Sequence, residues 1–119
     1  MKRHRILVVE DDVELANMYR AALRFAGFEV HTARDGLTAL QALDADRPDL
    51  VVLDLRLPTI RGEAVLEEIA ASDNPASPPV IVVTGGDPSR AVAQASAVLR
   101  KPCSPDLLIT AIEHRLRAD

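Results

Sequence analysis

A chain of 119 residues, 48% hydrophobic and 27% charged, is the size of one folded domain and excludes a disordered protein. Its net charge of −4, from 14 basic and 18 acidic residues, argues against direct nucleic-acid binding, which needs a basic face to meet phosphates. No apolar run approaches the roughly 20 residues needed to cross a bilayer, and no signal-peptide core follows the first residues, so the expected location is cytoplasmic, with no membrane partner.

Apolar runs alternate with helical patterns along the whole chain, the mark of repeated strand–helix units. Residues 5–10 read as a first strand. Residues 13–26 read as a helix whose Leu15, Tyr19, Ala22, Leu23 and Ala26 share one face, with Asp12 as N-cap and Gly27 as stop. A second strand covers 28–33 and a second helix 36–44. After Pro48, residues 49–54 form a third strand whose unbroken apolar run suits burial on both faces. A loop broken by Pro58 and Gly62 leads to a third helix over 63–72, then a proline-rich connection and a fourth strand over 79–84. The stretch from 85 to 96 offers at most two turns of helix before a short strand at 97–100. A helix over 104–117 closes the chain, with Ser104 as N-cap and Pro105 at its first position. The expectation is a single domain over 1–119. With only Tyr19, Phe25 and Phe28 as aromatics, its core must be built from Val, Leu, Ile and Ala.

Five residues stand at the carboxyl ends of four of these strands: Glu10, Asp11, Asp54, Thr84 and Lys101. In an open parallel α/β sheet those ends meet at the crevice where ligands bind. Two carboxylates about 4 Å apart repel by roughly 4 kcal/mol at an effective dielectric of about 20, a repulsion that a cation relieves. Oxygen donors of this kind suit Mg²⁺ or Mn²⁺, which accept a few carboxylates together with phosphate oxygens. Taken alone, Glu10-Asp11-Asp12 also fits a helix start enriched in acids. Asp54 has no capping duty, since a proline-containing loop follows it. Asp54 is therefore a candidate nucleophile for a phosphoryl group, with Lys101 to neutralise charge and the Thr84 hydroxyl to meet a phosphate oxygen. The lone Cys103 cannot form an internal disulfide, and His4, His31 and His114 form no recognisable site.

At this point the chain resembles the receiver domain of two-component response regulators over essentially its whole length. The matching residues are ILVVEDD, PDLVVLDLRLP with Gly62, VIVVTG and Lys101-Pro102. The resemblance implies a flavodoxin-like (βα)₅ fold, a doubly wound parallel five-stranded sheet of order 2-1-3-4-5. It implies Asp54 as phosphoacceptor, Lys101 and Thr84 as the residues that neutralise and sense the phosphoryl group, and Mg²⁺ held by Glu10, Asp11, Asp54 and the backbone carbonyl of Arg56. It implies a sensor histidine kinase or histidine phosphotransfer protein as donor. Such a domain is not a conventional enzyme, although it catalyses its own phosphorylation and dephosphorylation. The Lys101-Pro102 bond matches one that is usually cis.

Two departures stand out. The position three before the lysine, commonly aromatic in the family, is Val98, which is stiff at χ1 and has no ring to swing. Thr84 and Lys101 are 17 positions apart (101 − 84), fewer than the family commonly shows, so the helix between the fourth and fifth strands is expected to be short or missing. Gly86 leaves little side-chain cover over the site, which Arg56 can offset. A haloacid-dehalogenase-type phosphohydrolase would need an acid at 56 and a threonine at 58, where Arg56 and Pro58 stand. A dinucleotide-binding domain would need a glycine-rich turn in place of EDDVEL. The remaining rival is a phosphorylation-independent docking or dimerisation module.

Overall fold

The computed structural model describes residues 3–72, 77–87 and 93–117. Five strands, β1 (Arg5–Val9), β2 (Glu29–Ala33), β3 (Leu50–Leu53), β4 (Val80–Thr84) and β5 (Ala97–Arg100), form one sheet in the order β2-β1-β3-β4-β5. Every pairing is parallel. Four helices are described: α1 (Val13–Phe25), α2 (Gly36–Asp46), α3 (Gly62–Ala71) and α4 (Pro105–Arg117). The architecture is the doubly wound sheet expected from the sequence. Among the described residues no helix lies between β4 and β5, in keeping with a short or missing fourth helix, and residues 88–92 of that segment lie outside the description.

Alternation along the strands divides the core into two layers, because successive side chains of a strand point to opposite faces. Ile6, Val8, Leu50, Val52, Ile81 and Val83 pack on one face against Tyr19 and Leu23 of α1 and Leu108 and Ile112 of α4. Leu7, Val9, Val51, Leu53, Val80 and Val82 pack on the other against Ala39 of α2 and Val65, Leu66 and Ile69 of α3. The central strands read as continuous apolar runs because both faces are covered. On β5, Val98 joins the second layer and Leu99 the first.

The helix ends explain how each strand hands the chain to the next element. The Asp12 side chain accepts from the Leu15 N–H at 3.2 Å, and Asp35 does the same for Thr38 at 2.8 Å. At the other end of α1, the Phe28 N–H reaches the Leu23 carbonyl and the Gly27 N–H reaches that of Arg24, with Gly27 at φ +102°. This is a Schellman stop, which needs a left-handed residue that glycine supplies without strain. Ser104 caps α4 through the Leu107 N–H at 3.2 Å, directly before Pro105. No helix among the described residues is long and apolar enough to cross a membrane.

Candidate functional site

Register carries the site residues to one edge of the sheet. Val9 pairs with both Ala33 and Leu53, and Leu53 pairs with Val82, so the residues just beyond β1 and β3 lie side by side. The ladder runs one rung past the strands: the Glu10 N–H donates to the Ala33 carbonyl and the Asp54 N–H to that of Val9, both at 3.0 Å. Lys101, just past β5, donates its N–H to the Thr84 carbonyl at 3.1 Å. The Lys101–Pro102 peptide that follows is cis, as the resemblance implied.

Glu10, Asp11 and Asp54 each place a carboxylate oxygen within 4.8 Å of the others. Glu10 and Asp54 are buried and Asp11 is exposed. The Lys101 ammonium lies 2.8 Å from Glu10 Oε1 and 2.9 Å from Asp54 Oδ2. The other Asp54 oxygen, Oδ1, accepts from the Arg56 N–H at 3.0 Å, and Glu10 Oε2 accepts from the Asp12 N–H at 3.2 Å. One ammonium thus bridges the two buried carboxylates, with Asp11 beside them. Burial raises its pKa from 4.5 to about 7, although the bonds from Lys101 and the Asp12 N–H favour its charged form. For Lys101, burial opposes the charge, but hydrogen bonds to Glu10 and Asp54 outweigh it and hold the pKa above the ordinary value.

This donor set fits a hard divalent cation. It offers three carboxylate oxygens and no soft ligand, with one side open through exposed Asp11, as suits an ion that keeps water and phosphate oxygens. Burial disfavours the charged form of Glu10, and a cation bound there would offset that cost. Asp12, the third acid of the run, acts as the cap of α1 and stands outside the set. Of the two readings of Glu10-Asp11-Asp12, the helix cap holds for Asp12, and Glu10 and Asp11 are left as the candidate cation ligands.

Thr84 is buried at the end of β4, and its Oγ1 accepts from the Gly86 N–H at 3.2 Å. It opens on a cleft of about 300 Å³ lined by Leu55, Arg56, Leu57, Arg61, Glu63, Thr84, Gly86 and Asp87. Of these, Arg61, Glu63 and Asp87 were not singled out from the sequence, although they too follow β3 and β4 closely. Gly62 sets the path of the chain from β3 into α3. Its N–H bonds the Leu55 carbonyl at 3.1 Å, and a Cβ at this position would collide with the backbone of Asp54 and Leu55. A side chain there would push directly on the strand end that carries Asp54.

Comparison with known proteins agrees with this geometry. The family profile described as response regulator receiver domain matches residues 6–113. The DNA-binding response regulator MtrA of Mycolicibacterium paratuberculosis is 37% identical over 120 aligned residues, covering 97% of this chain and 52% of that protein. The transcriptional regulatory protein PrrA of Mycobacterium tuberculosis is 43% identical over 70 residues, 59% of this chain and 30% of that protein. The chain spans about half the length of MtrA and less of PrrA. Among solved structures, a CheY-like response regulator receiver domain protein from Methanospirillum hungatei matches with TM-score 0.89 at 29% identity, covering 98% of this chain and 96% of that one. A response regulator signal receiver domain from Bermanella marisrubri matches with TM-score 0.86 at 30% identity, covering 95% and 98%. With its sheet order, its acidic strand ends and this match over most of its length, the chain belongs to the response regulator receiver domain family.

Proposed function

We propose that this chain is a phosphorylation switch or phosphorelay element that accepts a phosphoryl group on Asp54 from the phosphohistidine of a sensor histidine kinase or histidine phosphotransfer protein. The observation that carries the reading is the Lys101 ammonium, 2.8 Å from Glu10 and 2.9 Å from Asp54, both buried, beside exposed Asp11. A carboxylate oxygen of Asp54 attacks phosphorus, a P–O bond forms as the donor's P–N bond breaks, and the departing imidazole nitrogen takes up a proton. Little covalent help is required, so positioning and charge neutralisation decide the rate.

Each residue has its part. The Arg56 N–H fixes one Asp54 oxygen, and Lys101 holds the other until charge builds on the transferred group. Glu10, Asp11, Asp54 and the Arg56 carbonyl would hold Mg²⁺ or Mn²⁺, which when bound neutralises the phosphoryl oxygens. Thr84 supplies a hydroxyl whose O–H donates to the phosphoryl group, and because its oxygen accepts from the Gly86 N–H, its shift draws on the loop that begins at Gly85. We place this chemistry in the cytoplasm, with output through a protein partner or an adjoining domain.

The test is intact mass after incubation with Mg²⁺ and acetyl phosphate, alongside Asp54→Ala. A Mg²⁺-dependent phosphate adduct, missing from the variant, is the expected result. No adduct, with a competent receiver as control and kinase-supplied phosphate also failing, would overturn the proposal and favour the docking module.

A further inference from the structure

Tyr19 is a buried hydroxyl for which the proposed phosphotransfer has no use. It lies in the middle of α1, 1% exposed, with its ring in the same core layer as Cys103, Leu108 and Ile112. A core position there asks only for an apolar side chain, and Leu23 on the same helix meets that demand. Tyrosine adds a polar tip that must find a partner when buried. The partner is the backbone carbonyl of Cys103, 3.3 Å away and 84 positions along the chain.

The turn that holds this carbonyl is the one that delivers the lysine. Lys101 leaves the sheet after its N–H bonds the Thr84 carbonyl, and the chain must then reverse into α4, whose cap Ser104 follows Cys103. Residues 101–103 belong to neither helix nor strand. The Tyr19 hydroxyl therefore ties α1 to the turn within two residues of Lys101. Burial raises the phenol pKa, which keeps the O–H protonated and able to donate. Lys101 in turn must span from that turn to two carboxylates at once, on the β1 and β3 sides of the site. Rotation of its flexible stem absorbs small shifts at the root, so the two contacts persist together only while the turn stays near its place.

We infer that Tyr19 is a positioning residue for Lys101: its hydroxyl, through the Cys103 carbonyl, fixes the turn from which the ammonium reaches Asp54 and Glu10. The inference rests on the proposed phosphotransfer only for its effect on rate, since the placement of Lys101 can be read without any phosphate.

Tyr19→Phe removes the hydroxyl and keeps the ring. The chain has two lysines, Lys2 and Lys101, so ¹³C-lysine labelling of the full chain gives two side-chain signals, assigned with Lys101→Arg. In the wild type the Lys101 signal is expected well away from that of a lysine in an unstructured peptide. In Tyr19→Phe it should move toward that position, and phosphorylation by acetyl phosphate at saturating Mg²⁺ should slow about fivefold, the effect of one neutral hydrogen bond on a barrier. Mg²⁺ affinity should not fall, because Glu10, Asp11 and Asp54 stay in place and a receding ammonium competes less for two of them. Tyr19→Leu serves as the packing control, with a lower melting temperature as well. An unmoved Lys101 signal in Tyr19→Phe would overturn the inference, whatever the rate. So would a moved signal with a wild-type rate, or a rate loss matched by lost Mg²⁺ affinity. A wild type that takes no phosphate would sink the proposed function, while the lysine signal would still decide the role of Tyr19.

Discussion

The guanidinium of Arg56 lies against Gly86. A methyl group added at Gly86 would come 3.2 Å from Nε and 3.3 Å from Nη2, so the arginine fills the space a side chain at 86 would occupy. Arg56 thereby forms a wall of the cleft beside Thr84, on the side where Gly86 offers no side chain. In the proposed function, water reaching Asp54 through this cleft would hydrolyse the aspartyl phosphate. Arg56→Ala is expected to shorten the lifetime of phosphorylated Asp54 roughly threefold to tenfold, as water exclusion is lost. Decay of the phosphate adduct followed by intact mass checks it; an unchanged half-life would show that the guanidinium gives no shelter.

Glu10 gives the site a pH dependence whose sign can be worked out. Its folded pKa of about 7 lies above the ordinary 4.5, so without a cation the folded protein binds that proton more tightly than the unfolded chain. The resulting stability is full below 4.5 and is lost as pH rises through about 7. A divalent cation needs Glu10 ionised and acts in the opposite sense. The rise in melting temperature on adding Mg²⁺ should therefore grow as pH passes from below to above that value. Glu10→Gln should flatten both trends, and thermal melts across pH with and without Mg²⁺ would reveal it.

Asp11 and Asp12 are neighbours with separate duties. Asp11→Asn is expected to weaken Mg²⁺ binding with little change in stability, since the side chain is exposed. Asp12→Ala should leave Mg²⁺ binding nearly intact and cost about 1 kcal/mol of stability through the lost cap of α1. Calorimetric Mg²⁺ titration and urea unfolding of the two variants separate the roles. Identical behaviour would mean the run acts as one charge cluster.

Gly62 tests how tightly Asp54, the proposed phosphoacceptor, is held from behind. Alanine there would press its Cβ into the backbone of Asp54 and Leu55, which cannot swing away as a side-chain tip would. Gly62→Ala is expected to cost about 3 kcal/mol and to impair phosphorylation of the fraction that stays folded. Gly86→Ala, which meets only the flexible end of Arg56, should cost far less. Urea unfolding of the pair makes the comparison.

What could be read from residues alone follows from period and punctuation. The apolar runs of β1, β3 and β4 and the caps at Asp12 and Ser104 are local signals, and the structure places them where the sequence pattern does. That the candidate site residues would come together was legible because each lies at or just past a strand end, and parallel pairing brings strand ends together. Tyr19 and the Cys103 carbonyl were not legible, since their contact spans 84 positions and a tyrosine on an apolar stripe reads as core. Arg5 and Glu29, paired at 2.6 Å across β1 and β2, were hidden for the same reason: registry between strands is not written in either one. The closeness of Gly62 to the Asp54 backbone likewise depends on how a loop folds back, which its composition does not specify.

The backbone hydrogen bonds from Glu10 to Ala33, Asp54 to Val9 and Lys101 to Thr84 put three residues of the candidate site on the final rung of the sheet. Strand ends are where fraying begins, and amides there ordinarily exchange first with solvent. If Asp54 takes phosphate as proposed, the margin that most proteins let loosen is here the part that has to stay closed. Slow exchange at those three amides would thus mark readiness for phosphate, and any partner that tightened or loosened the last rung would tune the chemistry without touching a carboxylate.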